Sequence, residues 1–451
     1  MNGKSGILLI SPDSIGAEIA GPGIRYWEMA KVISRDFKVT LLVPGDQNLP
    51  NADFLVERLI RSNLRKQLAK RDVVILQGLI LDKHPSIKKS GKHLVIDIYN
   101  TAMLENLENE FHLERWEQNN HFTSVLNGIK KQLSTGDFFI CASEKQRDFW
   151  LGMLSAMGRL NPHNYQMDKS FRKIIDVVPF GLPSEKPVHS KKVLKGINKG
   201  IHEDDFVVLW GGGIWNWLDP LTPIKAMKTI RETHPKIKLF FMGSRLLDKK
   251  KPEYLYGMHD RAYELARELQ VLNKNVFFND AWVPYDLRAN YLLEADAGLS
   301  CHFEYIETEF SFRTRLLDYI WANLPIITSN GDAMSETVEK EKLGITIEPN
   351  DCDALVKAII KLFEAKDFFN MCAENCNKIA RIFRWDEAVK PLMLYCHKPY
   401  FALDKDASRK ITLSNKFKYN IIKAYKFYRR EGFRGLLKRV QDFLLEKLCM
   451  M

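Results

Sequence analysis

Short apolar runs separated by helix-length stretches begin within the first ten residues and continue along most of the chain. Gly6–Ile10 reads as a buried strand, Ile24–Ser34 as a helix and Lys38–Val43 as the next strand. Val73–Leu76, Leu94–Ile98, Phe138–Cys141 and Ile174–Val178 continue the series. In Ser143–Gly158, Phe149, Met153 and Met157 recur on one helical face. Apolar runs without alternation mark strands buried on both faces. Separated by helices of this length, they predict βαβ units, right-handed crossovers and a parallel sheet.

The pattern lapses between 183 and 200, a stretch rich in Lys, Pro, Ser and Gly that reads as a linker. It then restarts. Phe206–Trp210, Lys238–Met242, Asn275–Phe278, Ala297–Cys301, Ile326–Thr328 and Gly344–Ile347 are predicted strands. Pro220–Thr233, Asp260–Leu269 and Asp286–Glu294 are predicted helices between them. No short internal repeat is present. The expectation is an α/β protein with two Rossmann-like domains, 1–182 and 201–400, facing each other across a cleft. The second ends in a crossover helix, and 401–451 forms a tail.

Charge changes the picture only at that tail. The net charge is +11. Residues 405–451 hold 13 Lys and Arg against 4 Asp and Glu, or +9, which leaves +2 for the rest. So small a surplus on the body argues against nucleic acid as a partner. Phe417, Ile421, Ala424, Tyr425 and Tyr428 recur at helical spacing among Lys416, Lys418, Lys423, Lys426, Arg429 and Arg430. A basic amphipathic helix of this kind suits an anionic membrane surface, with a helix packed on the body or a disordered tail as the alternatives. No run reaches the roughly 18 apolar residues of a membrane span, and the first residues lack signal-peptide anatomy. The seven cysteines form no CxxC pair, so reduced thiols and no metal site are expected. Together these features predict a cytoplasmic protein, peripheral on the inner face of the membrane.

The most informative stretch runs from Gly298 to Ser329. A strand ends in a loop carrying His302, Glu304, Glu307 and Glu309, and a helix opened by Phe312-Arg313-Thr314-Arg315 follows. Loops leaving the carboxyl ends of parallel strands are where ligands bind. Two guanidinium forks there suit an anion such as a nucleotide diphosphate.

Several segments, in order and spacing, resemble the retaining family 4 glycosyltransferases of GT-B fold, in a bacterial or archaeal branch linked to surface polysaccharides. They include VVLWGGGIWNWLDPLTPIKAM, KLFFMGSR, VFFNDAWVPYDLRANYLLEADAGLS and FSFRTRLLDYIWANLPIITSNGDAMSE, with AGPGIRYWEMAKVIS and FFICASEKQRDFWLGML in the first half. The resemblance spans Ile7 to Tyr400. It implies a nucleotide-sugar donor as substrate, a glycan or lipid-linked acceptor, and no cofactor or metal. It also implies an acid at the ribose, which falls on Asp318, and an acid near the donor sugar, which falls on Phe310. Glu307 or Glu309 then stands in for the second acid. The Arg and Lys expected after the first strand of the second domain are replaced by Gly211-Gly212-Gly213. Gly212 and Gly213 let the backbone approach a pyrophosphate closely, and Arg313, Arg315 or Arg245 supplies the charge. Gly21, Gly23 and Arg25 would lie over the same phosphates. Where the family carries a histidine after a first-domain strand, Asp97 or Tyr99 stands here, and His302 is the other catalytic candidate. With Phe310 in place of a glutamate, the alternative is a non-catalytic GT-B protein that binds a glycan or scaffolds an assembly at the membrane.

Overall fold

The computed structural model describes residues 6–16, 19–45, 50–110, 112–243, 257–279, 281, 283–404, 421–426, 428–433 and 435. It contains two parallel sheets. The first has seven strands: β1 (Gly6–Ile10), β2 (Lys38–Val43), β3 (Leu55–Arg58), β4 (Val73–Gln77), β5 (His93–Asp97), β6 (Phe138–Cys141) and β7 (Ile175–Val177). Their order is β3-β2-β1-β4-β5-β6-β7. The second has six: β8 (Phe206–Trp210), β9 (Ile237–Phe241), β10 (Val276–Phe278), β11 (Ala297–Ser300), β12 (Ile326–Ser329) and β13 (Gly344–Ile347), in the order β10-β9-β8-β11-β12-β13. This is the two-domain α/β architecture of the GT-B fold.

Both sheets reverse strand order beside their first strand, between β1 and β4 and between β8 and β11. Crevices outside the carboxyl ends of strands open at such points. Only β3 among the strands has no counterpart in the apolar pattern. It is an edge strand with no fully buried residue, paired to β2 in the register Thr40↔Leu55, so nothing forces it to be apolar.

Tyr319 locks the centre of the second sheet. A Cβ at Gly298 in β11 would fall 2.2 Å from its ring, so only glycine lets the ring lie on that strand. Its hydroxyl accepts from Gly211 N at 2.7 Å and faces Leu299 O at 2.7 Å and Leu209 O at 3.0 Å. The ends of β8 and β11 are thereby fastened together beneath the glycine turn.

The stretch expected to be a linker is an ordered strap on the second domain. Glu294 accepts the backbone N–H groups of Val193, Leu194 and Lys195, and Leu194 is fully buried. The chain beyond Phe383 returns to the first domain. Tyr395 stacks on Phe138 at 4.7 Å, Ala402 N donates to Asp137, and Asp404 pairs with Arg159 at 2.5 Å. Residues 401–404 therefore pack with the first domain rather than with the tail. In the tail, 421–426 and 428–433 are helical, as its spacing predicts, while Lys416, Phe417 and Lys418 lie outside the described residues.

Candidate functional site

The second domain builds its half of the site from the loops after β8 and β11. Gly212 has φ +108°, in the left-handed region, with open space where a Cβ would be. Glycine is required there by conformation, and it leaves the backbone bare. Between β11 and the helix Arg315–Trp321, the acid-rich loop folds into a short helix, Ile306–Phe310. The longer helix thus begins at Arg315, three residues later than the sequence suggests.

Asp318 and the glycine turn share a cavity of about 190 Å3 with Gly21 and Phe180 of the first domain. Asp318 Oδ1 takes a hydrogen bond from Arg288 Nε at 3.2 Å, and its Oδ2 has no partner among the described residues. Arg288 is clamped between the rings of Tyr285, at 3.6 Å, and Trp321, at 4.6 Å. A second cavity, of about 180 Å3, lies beside it. Trp217, Glu307 and Arg313 line it from the second domain, and Tyr99, Glu105 and Gln146 from the first. Trp215, Thr314 and Arg315 belong to both walls.

Arg315 is the cation at that junction. Its Nη2 donates to Gly213 O at 3.0 Å and its guanidinium lies 4.7 Å from the centre of the Trp210 ring. Nη1 is buried without a hydrogen-bond partner, and no carboxylate pairs with Arg315 among the described residues. Burial, reinforced by the repulsion of Arg313, pushes its pKa down to about 10. The side chain is half-buried with Nη1 inaccessible; a partly desolvated charge without a counterion is costly, and a bound anion would relieve it. Arg313 differs: Nη2 donates to Glu307 Oε2 at 2.8 Å, and both side chains are nearly inaccessible. That pair is already neutral.

His302 is fully buried and lines neither cavity. Its Nε2 lies 3.2 Å from Asp332 Oδ2 and its Nδ1 3.2 Å from Phe303 O. Asp332 in turn caps the helix Ala333–Lys340, accepting from Met334 N and Ser335 N. His302, expected as a catalytic candidate, therefore sits behind the loop, away from both cavities. Glu309 is exposed and outside both cavities, so of the two candidate glutamates only Glu307 reaches the cleft. Phe310 packs on Phe149 at 5.0 Å, and its carbonyl accepts from Gln146 Nε2, a contact that crosses between the domains.

Arg25 also departs from expectation. It is fully buried, with Nε 2.8 Å from Asp97 Oδ2, Nη2 donating to Asp97 Oδ1 and Val178 O, and Nη1 donating to Pro179 O. Four of its five N–H groups are engaged within the first domain, and it lines neither cavity. Asp97 is thereby accounted for as its counterion. Gly21 lines the Asp318 cavity. Gly23 instead permits a close approach, since a Cβ there would meet Ser14 O and Ile19 at 2.9 Å. Tyr99 lies on the cavity wall with the Arg25 guanidinium 4.7 Å from its ring centre. Arg245 lies outside the described residues.

Three participants escaped sequence reasoning: Glu105, Gln146 and Arg288. Glu105 accepts from Asn100 Nδ2 at 3.2 Å. Burial, with the charge of Glu307 across the cavity, pushes its carboxyl up to about 7. Its helix, Ala102–Asn109, is short and polar, and nothing in its spacing singles out one glutamate. Among the described residues, no group of three or more His, Cys, Asp or Glu could hold a metal ion.

Comparison with known proteins agrees with this fold. Residues 198–379 match the family model described as glycosyl transferases group 1. No curated protein sequence matches the chain. Among solved structures, sucrose-phosphate synthase from Thermosynechococcus elongatus is similar with 16% identity and a TM-score of 0.63, over 87% of this chain and 99% of that one. WaaG, a glycosyltransferase involved in lipopolysaccharide biosynthesis, gives 16% identity and 0.57, over 86% and 98%. Anabaena HepE, solved in complex with UDP-glucose, gives 12% identity and 0.59, over 88% and 100%. With two parallel-sheet domains and a cleft between them, the chain has the GT-B fold and resembles the glycosyl transferases group 1 family, whose model its second domain matches.

Proposed function

We propose that this protein is a glycosyltransferase that moves a sugar from a nucleotide-sugar donor to a glycan or lipid-linked acceptor, in the assembly of a cell-surface polysaccharide or glycolipid. The observation that carries the reading is Arg315, a cation without a carboxylate partner at the wall between two cavities. A nucleoside in the first cavity donates its ribose hydroxyls to the free oxygen of Asp318. The diphosphate crosses the bare backbone of the glycine turn and takes Arg315 as its counterion. The sugar enters the second cavity, whose wall includes Trp215 and Trp217, stacked at 5.7 Å. Aromatic faces of this kind suit sugar rings.

On this reading Arg315 gains most as negative charge develops on the departing diphosphate. Closure of the cleft keeps water from the donor. Transfer proceeds with retention and without a metal. The acceptor approaches from the first domain, where Tyr99 and Glu105 face the sugar. In the tail, Ile421, Tyr425, Tyr428 and Phe433 are exposed among basic residues, which supports attachment to the anionic inner face of the membrane. HepE, solved with UDP-glucose, and WaaG, a lipopolysaccharide glycosyltransferase, are similar folds that support the donor and the pathway.

The test is nucleotide release from a panel of UDP-, GDP- and dTDP-sugars, with and without membrane lipid extract. Release from one donor by the wild type is expected, with a loss of at least about tenfold in Asp318→Ala, one charge-assisted hydrogen-bond site being removed. Phe310 favours a second reading, a glycan-binding scaffold without turnover, because it places an apolar interdomain contact where the resemblance expects an acid. Absence of both release and thermal stabilisation by any nucleotide would decide for that reading.

A further inference from the structure

Two carboxylates flank one guanidinium at the back of the second cavity. Arg313 Nη2 donates to Glu307 Oε2 at 2.8 Å and Nη1 to Glu307 Oε1 at 3.4 Å, while its Nε lies 4.0 Å from Asp332 Oδ2. All three side chains are buried, and Arg313 and Glu307 line the cavity whereas Asp332 does not. The two atoms that face each other across the longer gap, Arg313 Nε and Asp332 Oδ2, are inaccessible and make no hydrogen bond with a described residue. Leaving a buried donor or acceptor unmet is costly, so folded proteins contain few of them. A donor and an acceptor both unmet and 4.0 Å apart mark a contact still to be made.

Asp332 is not free to make it. Its Oδ1 is held by Met334 N at 2.7 Å and Ser335 N at 2.8 Å at the start of the helix Ala333–Lys340, and His302 Nε2 stands 3.2 Å from its Oδ2. Arg313 is the partner that can move, being a long side chain on the link between the helices Ile306–Phe310 and Arg315–Trp321. Parting Glu307 from Arg313 would ordinarily strand a buried cation, which is what makes a buried ion pair hard to break. Asp332 removes that obstacle. As Glu307 leaves, the guanidinium closes on a second carboxylate and stays neutralised.

We propose that Asp332 is a positioning residue: it offers Arg313 a second seat, so that Glu307 can turn to the hydroxyls of the donor sugar. The inference rests on the transferase reading and gives the sugar cavity a working acid although Phe310 brings none. Hydroxyls of the sugar replace the guanidinium as hydrogen-bond donors to Glu307, and Arg313 Nε pairs with Asp332 Oδ2. One cation passes between two anions, and no proton moves.

The experiment compares the full-length wild type with Asp332→Asn, Glu307→Gln and the double variant. Asparagine keeps the oxygen that caps the helix, so Asp332→Asn should fold, and an unchanged urea midpoint verifies it. Arg313→Lys is a second route to the same end, because a single ammonium cannot span both carboxylates. Calorimetry measures affinity for UDP, GDP and dTDP and for their sugar conjugates. The expected result is a loss of about tenfold in nucleotide-sugar affinity in each single variant, the worth of one charge-assisted hydrogen bond, with affinity for the bare nucleotide unchanged. The double variant should be no weaker than Glu307→Gln alone, since Asp332 acts only through Glu307. Wild-type affinity for the nucleotide sugar in Asp332→Asn or in Glu307→Gln would overturn the proposal and leave the transferase reading standing. Equal weakening of nucleotide and nucleotide sugar, or losses that add in the double variant, would also overturn it, by making Asp332 a purely structural residue. A folded wild type that binds no nucleotide sugar would overturn the transferase reading, and this proposal with it.

Discussion

Two arginines with the same chemistry meet opposite fates on the two sides of the cleft. Arg25, in the first domain, has four of its five N–H groups taken by one carboxylate and two backbone carbonyls, with no exposure. Arg315, in the second, keeps one hydrogen bond to a carbonyl, one ring face and an unsatisfied Nη1. The first is a structural cross-link between β5 and the chain after β7. The second is a charge held ready. A buried pair is broken at high cost when one partner is removed, whereas an unpaired buried charge already carries a penalty that a ligand can remove. Arg25 is fully buried and Arg315 half-buried with a buried Nη1, and what separates their roles is the accounting of their partners.

That contrast can be broken in order of effect. Arg25→Ala should destabilise the protein by about 3–5 kcal/mol, because Asp97 is left buried without a counterion. Urea unfolding measures it, and an unmoved midpoint would mean that the pair holds nothing. Arg315→Ala should reverse the pattern. Unfolding should stay close to wild type, while donor turnover falls by about 10²–10³, the usual effect of removing one group aimed at developing negative charge. Turnover that survives the substitution would transfer the phosphate role to another cation.

Glu105 gives the smallest effect and sharpens the comparison with a carboxyl. Its folded-state value, about 7, lies above the ordinary 4.5, so the native state holds a proton that the unfolded chain has released. The stabilisation from that proton is complete below 4.5 and is lost as pH rises through 7. Glu105→Gln should remove this decline, visible as a smaller difference in urea midpoint between about pH 4.5 and about pH 8. An unchanged difference would place the titration elsewhere.

The sequence made most strands legible because strands buried on both faces are written as uninterrupted apolar runs. β3 was invisible for the opposite reason, since an edge strand without a fully buried residue carries no such signal. At the site, the family resemblance, counted back from Leu324-Pro325, pointed to Asp318, and composition pointed to the glycine turn; both line one cavity. The division of labour among the arginines was not. Asp97 lies 72 residues from Arg25, and Glu307 lies six from Arg313 across a loop whose short helix has no periodic signal. Charge pairing across such distances is decided by tertiary packing. Glu105 escaped because its raised carboxyl comes first from burial and then from Glu307 on the opposite domain, surroundings that exist only after folding.

The chain passes between the domains twice, and the two passages run side by side. Leu182 N donates to Phe383 O at 2.7 Å, and Trp385 N donates to Leu182 O at 3.0 Å. Gly181 lies so close to Trp385 that a Cβ there would fall 2.6 Å from the indole. Opening of the cleft therefore resembles a door on two adjacent pins: rotation about one axis remains easy, while sliding or twisting would tear both hydrogen bonds. A larger residue at Gly181 would jam that hinge and, because Gly181 also lines the Asp318 cavity, would narrow the ligand's entry at the same point.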